Sequence, residues 1–176
     1  SAREDGCEGY LCASMDRRHF FIGTEILRHR FPLFMEKPLA RTLEECCELS
    51  SLAEHSGITA LVNFSKRNAP ALWSLYSIVK EHAIGSIVRY TGHYIQSWVR
   101  TRCWGDWIQT PRWKWRLVPE TSTAGVIGDL GSHVVDALLL ICGDLELIEV
   151  KSTVLTLSRV MNLEQFVSHP LPEEFF

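Results

Sequence analysis

One feature constrains the fold more than any other: in the first part of the chain the hydrophobic pattern alternates between two kinds of segment. Gly9 to Ser14 is a short apolar run bounded by polar residues, as a buried strand is. After Met15-Asp16-Arg17-Arg18, residues Phe20, Phe21, Ile22, Ile26 and Leu27 recur on one side of a helix that Pro32 brings to an end. Leu33-Phe34-Met35 reads as a second buried strand. Thr42-Leu43-Glu44-Glu45 fits a capping box, in which the Thr42 hydroxyl accepts from the backbone N–H of Glu45. Leu43, Cys46, Cys47, Leu49 and Leu52 continue as an apolar stripe, and Gly57 supplies a helix stop. Ile58 to Phe64 is rich in strand formers. Strand, helix, strand, helix, strand within roughly 55 residues is the pattern of a parallel α/β sheet.

The second part reads differently. Pro70 opens an amphipathic helix carrying Leu72, Leu75, Tyr76, Ile78 and Val79, which ends near Gly85. Ser86 to Trp98 is β-prone, residues 99–124 are irregular, Gly125 to Cys142 is helical, and a strand is expected from about Leu147 to Leu157. The fold class expected is therefore α/β plus α+β. The C-terminal part of a Rossmann-type parallel sheet would occupy residues 1–66, and the start of an α+β substrate-binding domain with a β-sheet residues 67–176.

Composition narrows the function classes. With 46% hydrophobic and 22% charged residues, the chain has the make-up of a folded protein. Eighteen Lys and Arg against 21 Asp and Glu give a net charge of −3, so a nucleic-acid binder driven by bulk charge is excluded. No apolar run approaches the roughly 20 residues that cross a bilayer, and the charged Ser1-Ala2-Arg3-Glu4-Asp5 does not resemble a signal peptide. Cys7, Cys12, Cys46, Cys47, Cys103 and Cys142 form no C-x-x-C pair, and the adjacent Cys46 and Cys47 suit reduced thiols. A cytoplasmic setting without membrane contact is expected.

Three groups of residues carry chemistry. Lys37, in Glu36-Lys37-Pro38, directly follows a buried strand, where ligands bind in open α/β sheets; a partly desolvated lysine there can join proton transfer. The plainer alternative is a solvated lysine in a loop. On the helix expected over Gly125 to Cys142, Asp129, His133 and Asp136 stand at i, i+4 and i+7, on one face. Imidazole can act as a base near neutral pH, and a carboxylate one turn away can fix its tautomer. The alternative is an acidic helix start with a core histidine behind it. Gly125, Gly128 and Gly131 favour function, because each costs about 1 kcal/mol of helix propensity and so points to a close approach of the backbone. One helix rarely supplies three ligands in facial geometry, so no metal site is expected. The third group, Arg100 to Arg116, mixes Trp104, Trp107, Trp113 and Trp115 with Arg and Lys; it can stack on a base, a nicotinamide or a sugar face, or cover an apolar contact.

In order, these pieces resemble the Gfo/Idh/MocA family of nicotinamide-dependent sugar oxidoreductases. Tyr10 to Ser14 resembles the family's fourth Rossmann strand and its T-P-x-x-x-H turn, with His19 at the histidine. Glu36-Lys37-Pro38-Leu39-Ala40 matches E-K-P-L-A; Val62, Phe64, Arg67 and Pro70 match V-x-F-x-x-R-x-x-P; Ile84-Gly85-Ser86-Ile87 matches I-G-x-I. Trp115-Arg116-Leu117 matches W-R-L, and Gly128 to His133 with Asp136 is similar to G-D-L-G-S-H-x-x-D. The resemblance covers residues 9–151.

The resemblance implies an oxidoreductase that passes hydride between NAD or NADP and a hydroxyl or keto carbon of a sugar- or cyclitol-like substrate. His133 would be the base, Asp129 would orient it or contact the substrate, and Lys37 would hold the reacting oxygen or relay the proton. Ser14, Met15, His19, Glu36 and Lys37 would lie along the cofactor, with Trp115 and Arg116 contributing. Lys37, Tyr94, Asp129 and His133 would contact substrate, and the sheet after residue 86 would form the wall of the substrate site and a homo-oligomer interface. The sequence departs from the family at Met15, where the turn usually has Pro, and at Thr123-Ala124-Gly125, where glycines usually run. It contains no G-x-G-x-x-G after a first strand, the device that binds pyrophosphate on backbone amides. The chain is therefore expected to be partial, to leave a sheet edge and an apolar sheet face uncovered, and to bind no dinucleotide by itself. The alternative is a catalytically inactive oligomeric or ligand-binding module derived from such an enzyme.

Overall fold

The computed structural model describes residues 6–97, 101, 103, 105, 110, 125–143 and 145–153. Three strands, β1 (Tyr10–Cys12), β2 (Leu33–Glu36) and β3 (Ala60–Asn63), pair in parallel in the order β1-β2-β3. Helices α1 (His19–Arg28) and α2 (Leu43–Ser56) make the two crossovers and pack on each other. Right-handed crossovers that step in one direction along a sheet place both helices on the same face. Between them and the sheet lies the core of Cys12, Leu27, Leu33, Met35, Ala40 and Leu49. Burying an aliphatic side chain of this kind contributes about 1.5–3 kcal/mol. The layers meet at Gly23, where an added Cβ would stand 2.9 Å from Met35 Cε and 3.1 Å from Leu49 Cδ2.

The local signals in the sequence act as chemistry requires. The Thr42 hydroxyl accepts from Glu45 N at 3.2 Å, and the Glu45 carboxylate reaches back to the backbone N–H of Arg41 at 2.9 Å. Gly57 closes α2 with φ +64°, a left-handed conformation that suits glycine. Three stripe residues point the other way: Phe21, Leu43 and Cys47 are exposed. At about 100° per residue, Phe21 falls opposite the buried arc of His19, Gly23 and Leu27, and Leu43 and Cys47 fall outside the arc centred on Leu49 and Ala53. The opposite sheet face is open, as expected: Leu11, Phe34 and Leu61 are in register across the three strands and are 69%, 38% and 56% exposed.

Beyond β3 a 3-10 turn (Ser65–Asn68) leads into α3 (Pro70–Lys80), with Pro70 in its first turn. Leu72, Tyr76 and Val79 form its half-buried side, while Leu75 and Ile78 are exposed. The expected helix over 125–142 is present and has two parts, a π-helical turn (Ile127–Gly131) and α4 (Ser132–Cys142), which packs against α3. The expected strands are a correction. Residues 86–97 and 147–153 form no strand, because a strand exists only where a neighbour takes its backbone hydrogen bonds, and among the described residues none lies alongside. Trp98 and residues 154–157 of those segments lie outside the described residues. All six cysteines are free. Among the described residues no helix is long and apolar enough to cross a membrane.

Candidate active site at the strand ends

The residues of interest gather beyond the carboxyl ends of the three strands, where open parallel sheets bind ligands. At the end of β1, Ser14 is half-buried and Met15 is exposed. The family resemblance implies a place for His19 along the cofactor; in the structure it is a buried residue between two loops. It is 1% exposed, and its Nδ1 and Nε2 lie 2.7 Å and 3.0 Å from the carbonyl oxygens of Pro38 and Ser14. Lying between these two carbonyl oxygens, the buried ring can donate its N–H to either and so sits between the loop after β2 and the turn after β1. Glu36, the last residue of β2, is likewise committed: its carboxylate accepts from the Asn63 side-chain amide on β3 and, at 3.3 Å, from the Lys37 backbone N–H.

Lys37 turns toward the second part of the chain. Its Nζ donates to the Asp129 carbonyl oxygen at 2.6 Å and to Asp129 Oδ1 at 3.0 Å, with the two side chains 14% and 25% exposed. Asp129 lies in the π turn, where the backbone ladder leaves the i to i+4 register. One turn further on, His133 is buried, stacked on Tyr94 (5.6 Å between centroids, 17° between planes) with Phe64 edge-on at 6.1 Å. Its Nδ1 is buried without a hydrogen-bond partner among the described residues. Burial first, and then the charges of Lys37 and Lys66, hold His133 below the ordinary imidazole pKa, against an opposing pull from Asp129 and Asp136. Lys66 Nζ sits 5.7 Å from the centre of the Tyr94 ring, so Tyr94 is shared between that cation and the imidazole.

Lys37, Asp129, His133 and Tyr94 thus come together as the sequence places them, but Asp136 does not share their pocket. It is buried against Arg67, whose Nε and Nη2 make three hydrogen bonds of 2.8–3.0 Å to the carboxylate. This pairing holds Arg67 above its usual pKa through the hydrogen bonds to Asp136. Asp129 and Asp136 therefore serve two different cations. Sequence reasoning missed this second pair and the place of Phe64 beside His133. The glycines show no close approach within the chain: nothing stands within 4 Å of a Cβ added at Gly125, whose φ of +56° itself suits glycine, and a Cβ on Gly131 would make only ordinary contact. Trp115, Arg116 and the other tryptophans between Arg100 and Arg116 lie outside the described residues.

Comparison with known proteins bears on the fold and the family. Residues 2–64 match the family model described as "Oxidoreductase family, NAD-binding Rossmann fold", and residues 73–168 match "GFO/IDH/MocA C-terminal domain". The levoglucosan dehydrogenase of Pseudarthrobacter phenanthrenivorans is 31% identical over 114 residues, 64% of this chain and 27% of that protein. A solved levoglucosan dehydrogenase in complex with NADH and levoglucosan superposes with a TM-score of 0.68 at 27% identity, over 78% of this chain and 35% of its own. An oxidoreductase domain protein from Kribbella flavida gives 0.69 at 28% identity, over 80% and 36%. The chain spans about a third of the length of the relatives it matches.

Proposed function

The chain belongs to the Gfo/Idh/MocA oxidoreductase family, and from that premise we propose that it carries the catalytic face of an NAD(P)-dependent dehydrogenase acting on a sugar- or cyclitol-like alcohol. The observation that carries the proposal is the Lys37–Asp129 pair at the end of β2 with the deprotonation-prone, buried His133 one turn away. A group held below the ordinary imidazole pKa is neutral near pH 7 and ready to accept a proton. With Nδ1 sealed inside, Nε2 is the nitrogen that takes the hydroxyl proton. Lys37 Nζ, placed by Asp129, holds the oxygen from which that proton leaves, and Tyr94 borders the site through its stack on His133. The nicotinamide, when bound, supplies the hydride acceptor. The described residues fit one end of that cofactor: the half-buried Ser14, the exposed Met15 and the loop at Glu36 and Lys37 stand at the strand ends, where that end would lie. His19 serves there by holding the two loops in place, and Trp115 and Arg116 are assigned to the same rim on the family resemblance alone.

On this reading, residues 1–66 belong to the nucleotide-binding domain and 67–176 to the substrate domain, which mediates homo-oligomer contacts, in a cytoplasmic protein with no nucleic-acid or membrane partner. The test is turnover by the protein that carries this chain. Nicotinamide reduction is followed over a panel of aldoses and cyclitols with NAD and with NADP. Lys37→Met and His133→Asn should each lower kcat by about 100-fold or more, the usual worth of a positioned general base. Turnover that survives both substitutions would favour an inactive binding module instead.

A further inference from the structure

His133 is flanked on its helix by two cross-links. Asp129, four residues before it, is paired with Lys37, the first residue beyond β2; Asp136, three residues after it, is paired with Arg67, four residues beyond β3. Ion pairs from two adjacent parallel strands therefore reach one helix about a turn on either side of the imidazole.

The two pairs differ in kind. Lys37 presents a point charge that can hold Asp129 in several orientations. Arg67 presents a fork: Nε lies 3.0 Å and 2.9 Å from the two Asp136 oxygens, and Nη2 lies 2.8 Å from Oδ1. A fork fixes direction as well as distance, and the buried Asp136 has no water to turn to. Arg67 is itself held, because Trp73 Nε1 donates to its carbonyl oxygen at 2.6 Å. Phe64, three residues before Arg67, supplies the edge-on ring beside His133. One short turn thus holds both the helix and one wall of the histidine's pocket.

We propose that the Arg67–Asp136 pair is the positioning device for His133, setting the rotation and seat of α4 at the end of β3 so that the imidazole lies between Tyr94 and Phe64. Arg67 and Asp136 are positioning residues and touch no reacting atom. The proposal rests on the assignment of His133 as base only for its consequence in turnover, since the placement of the ring can be read without turnover.

The experiment follows the His133 ring proton by NMR in the full chain labelled at histidine. Stacking on Tyr94 displaces that signal from the position of an exposed histidine. The charges that face His133 are Lys37 beyond β2, Lys66 beyond β3, and Asp129 and Asp136 on its own helical segment. If Asp136 acted through charge alone, Asp136→Asn would push the protonation midpoint further down and leave the ring signal in place. As a positioning residue, its loss frees the ring into water: the stacking displacement collapses and the midpoint rises toward 6.5. Arg67→Lys, which keeps the charge and loses the fork, should give an intermediate displacement. A falling midpoint, or a ring signal unmoved in both variants, overturns the proposal. If Asp136→Asn fails to give a dispersed amide spectrum, Arg67→Lys decides by the same signal. A ring that moves in the variants while kcat of the protein carrying this chain stays constant leaves the positioning intact and removes His133 as the base.

Discussion

Acid destabilisation linked to His133 tests the physical core of the site. Burial and the cations Lys37 and Lys66 lower the folded-state pKa of His133 below the 6.5 of an ordinary imidazole. Unfolding then takes up a proton in the interval between the two values. The stability owed to a neutral His133 is complete above about pH 7.5, falls as the pH drops through 6.5, and stops falling below the folded-state pKa. Within that window the slope is at most 2.303RT, about 1.4 kcal/mol per pH unit. The perturbation is His133→Leu, which removes the titrating ring and its unpaired Nδ1 but keeps an apolar filling between Tyr94 and Phe64. Urea unfolding of both proteins from about pH 5 to pH 8 yields the difference in stability, in which the other histidines and the carboxylates cancel to first order. Wild type should gain on the variant as pH rises through the window and hold level above it. A difference that shrinks with rising pH would mean that Asp129 and Asp136 outweigh burial and favour the imidazolium. A flat difference would mean that the ring is solvated. Either outcome refutes the reasoning.

Lys37→Met removes the cation 3.0 Å from the Asp129 carboxylate, at a cost of about 1–3 kcal/mol in urea unfolding. It also raises the His133 midpoint by removing a repelling charge, and no change in either quantity would deny the ion pair. Gly92→Ala places a Cβ 2.6 Å from Val134 Cγ1 and 2.9 Å from Tyr90 Cε1. The segment that carries Tyr94 must lift from α4, with a loss of about 1–3 kcal/mol and a weaker His133 ring shift; unchanged values would show that the segment is not seated there. Thr42→Ala removes the side-chain cap of α2 and should cost about 1 kcal/mol by thermal unfolding, with the His133 signal unaffected.

Much of the α/β part was legible because its signals are local. The Thr42 cap, the Gly57 stop and the two-layer alternation each depend on residues within a turn or two, and β1 to β3 appear where their apolar runs lie. The helix faces were read less well. Phe21, Leu43 and Cys47 are apolar, but apolar character alone does not fix an angle, and only packing against Leu49 and Met35 shows which arc is buried. The later strands failed for a related reason. The propensity of Ile87, Tyr90, Tyr94 and Ile95 is real, but β propensity describes a residue's fit to a sheet and cannot supply the neighbouring strand.

The candidate site shows the same division between residue and partner. Lys37, Asp129 and His133 could be named because each has distinctive chemistry and a recognisable setting, yet Lys37 and Asp129 stand 92 positions apart, and Arg67 and Asp136 stand 69 apart. No periodicity links such distances. A signal was nevertheless present. A cation follows closely on β2 and another on β3, and two carboxylates stand seven residues apart on one helical segment. In a parallel sheet successive strands lie about 4.8 Å apart, whereas seven residues of helix rise about 10.5 Å, and the placing of Arg67 four residues past β3 together with the length of both side chains makes up the difference. His133 stands between the two carboxylates on that segment, four residues after Asp129 and three before Asp136. The two ion pairs therefore bracket the residue proposed as the base.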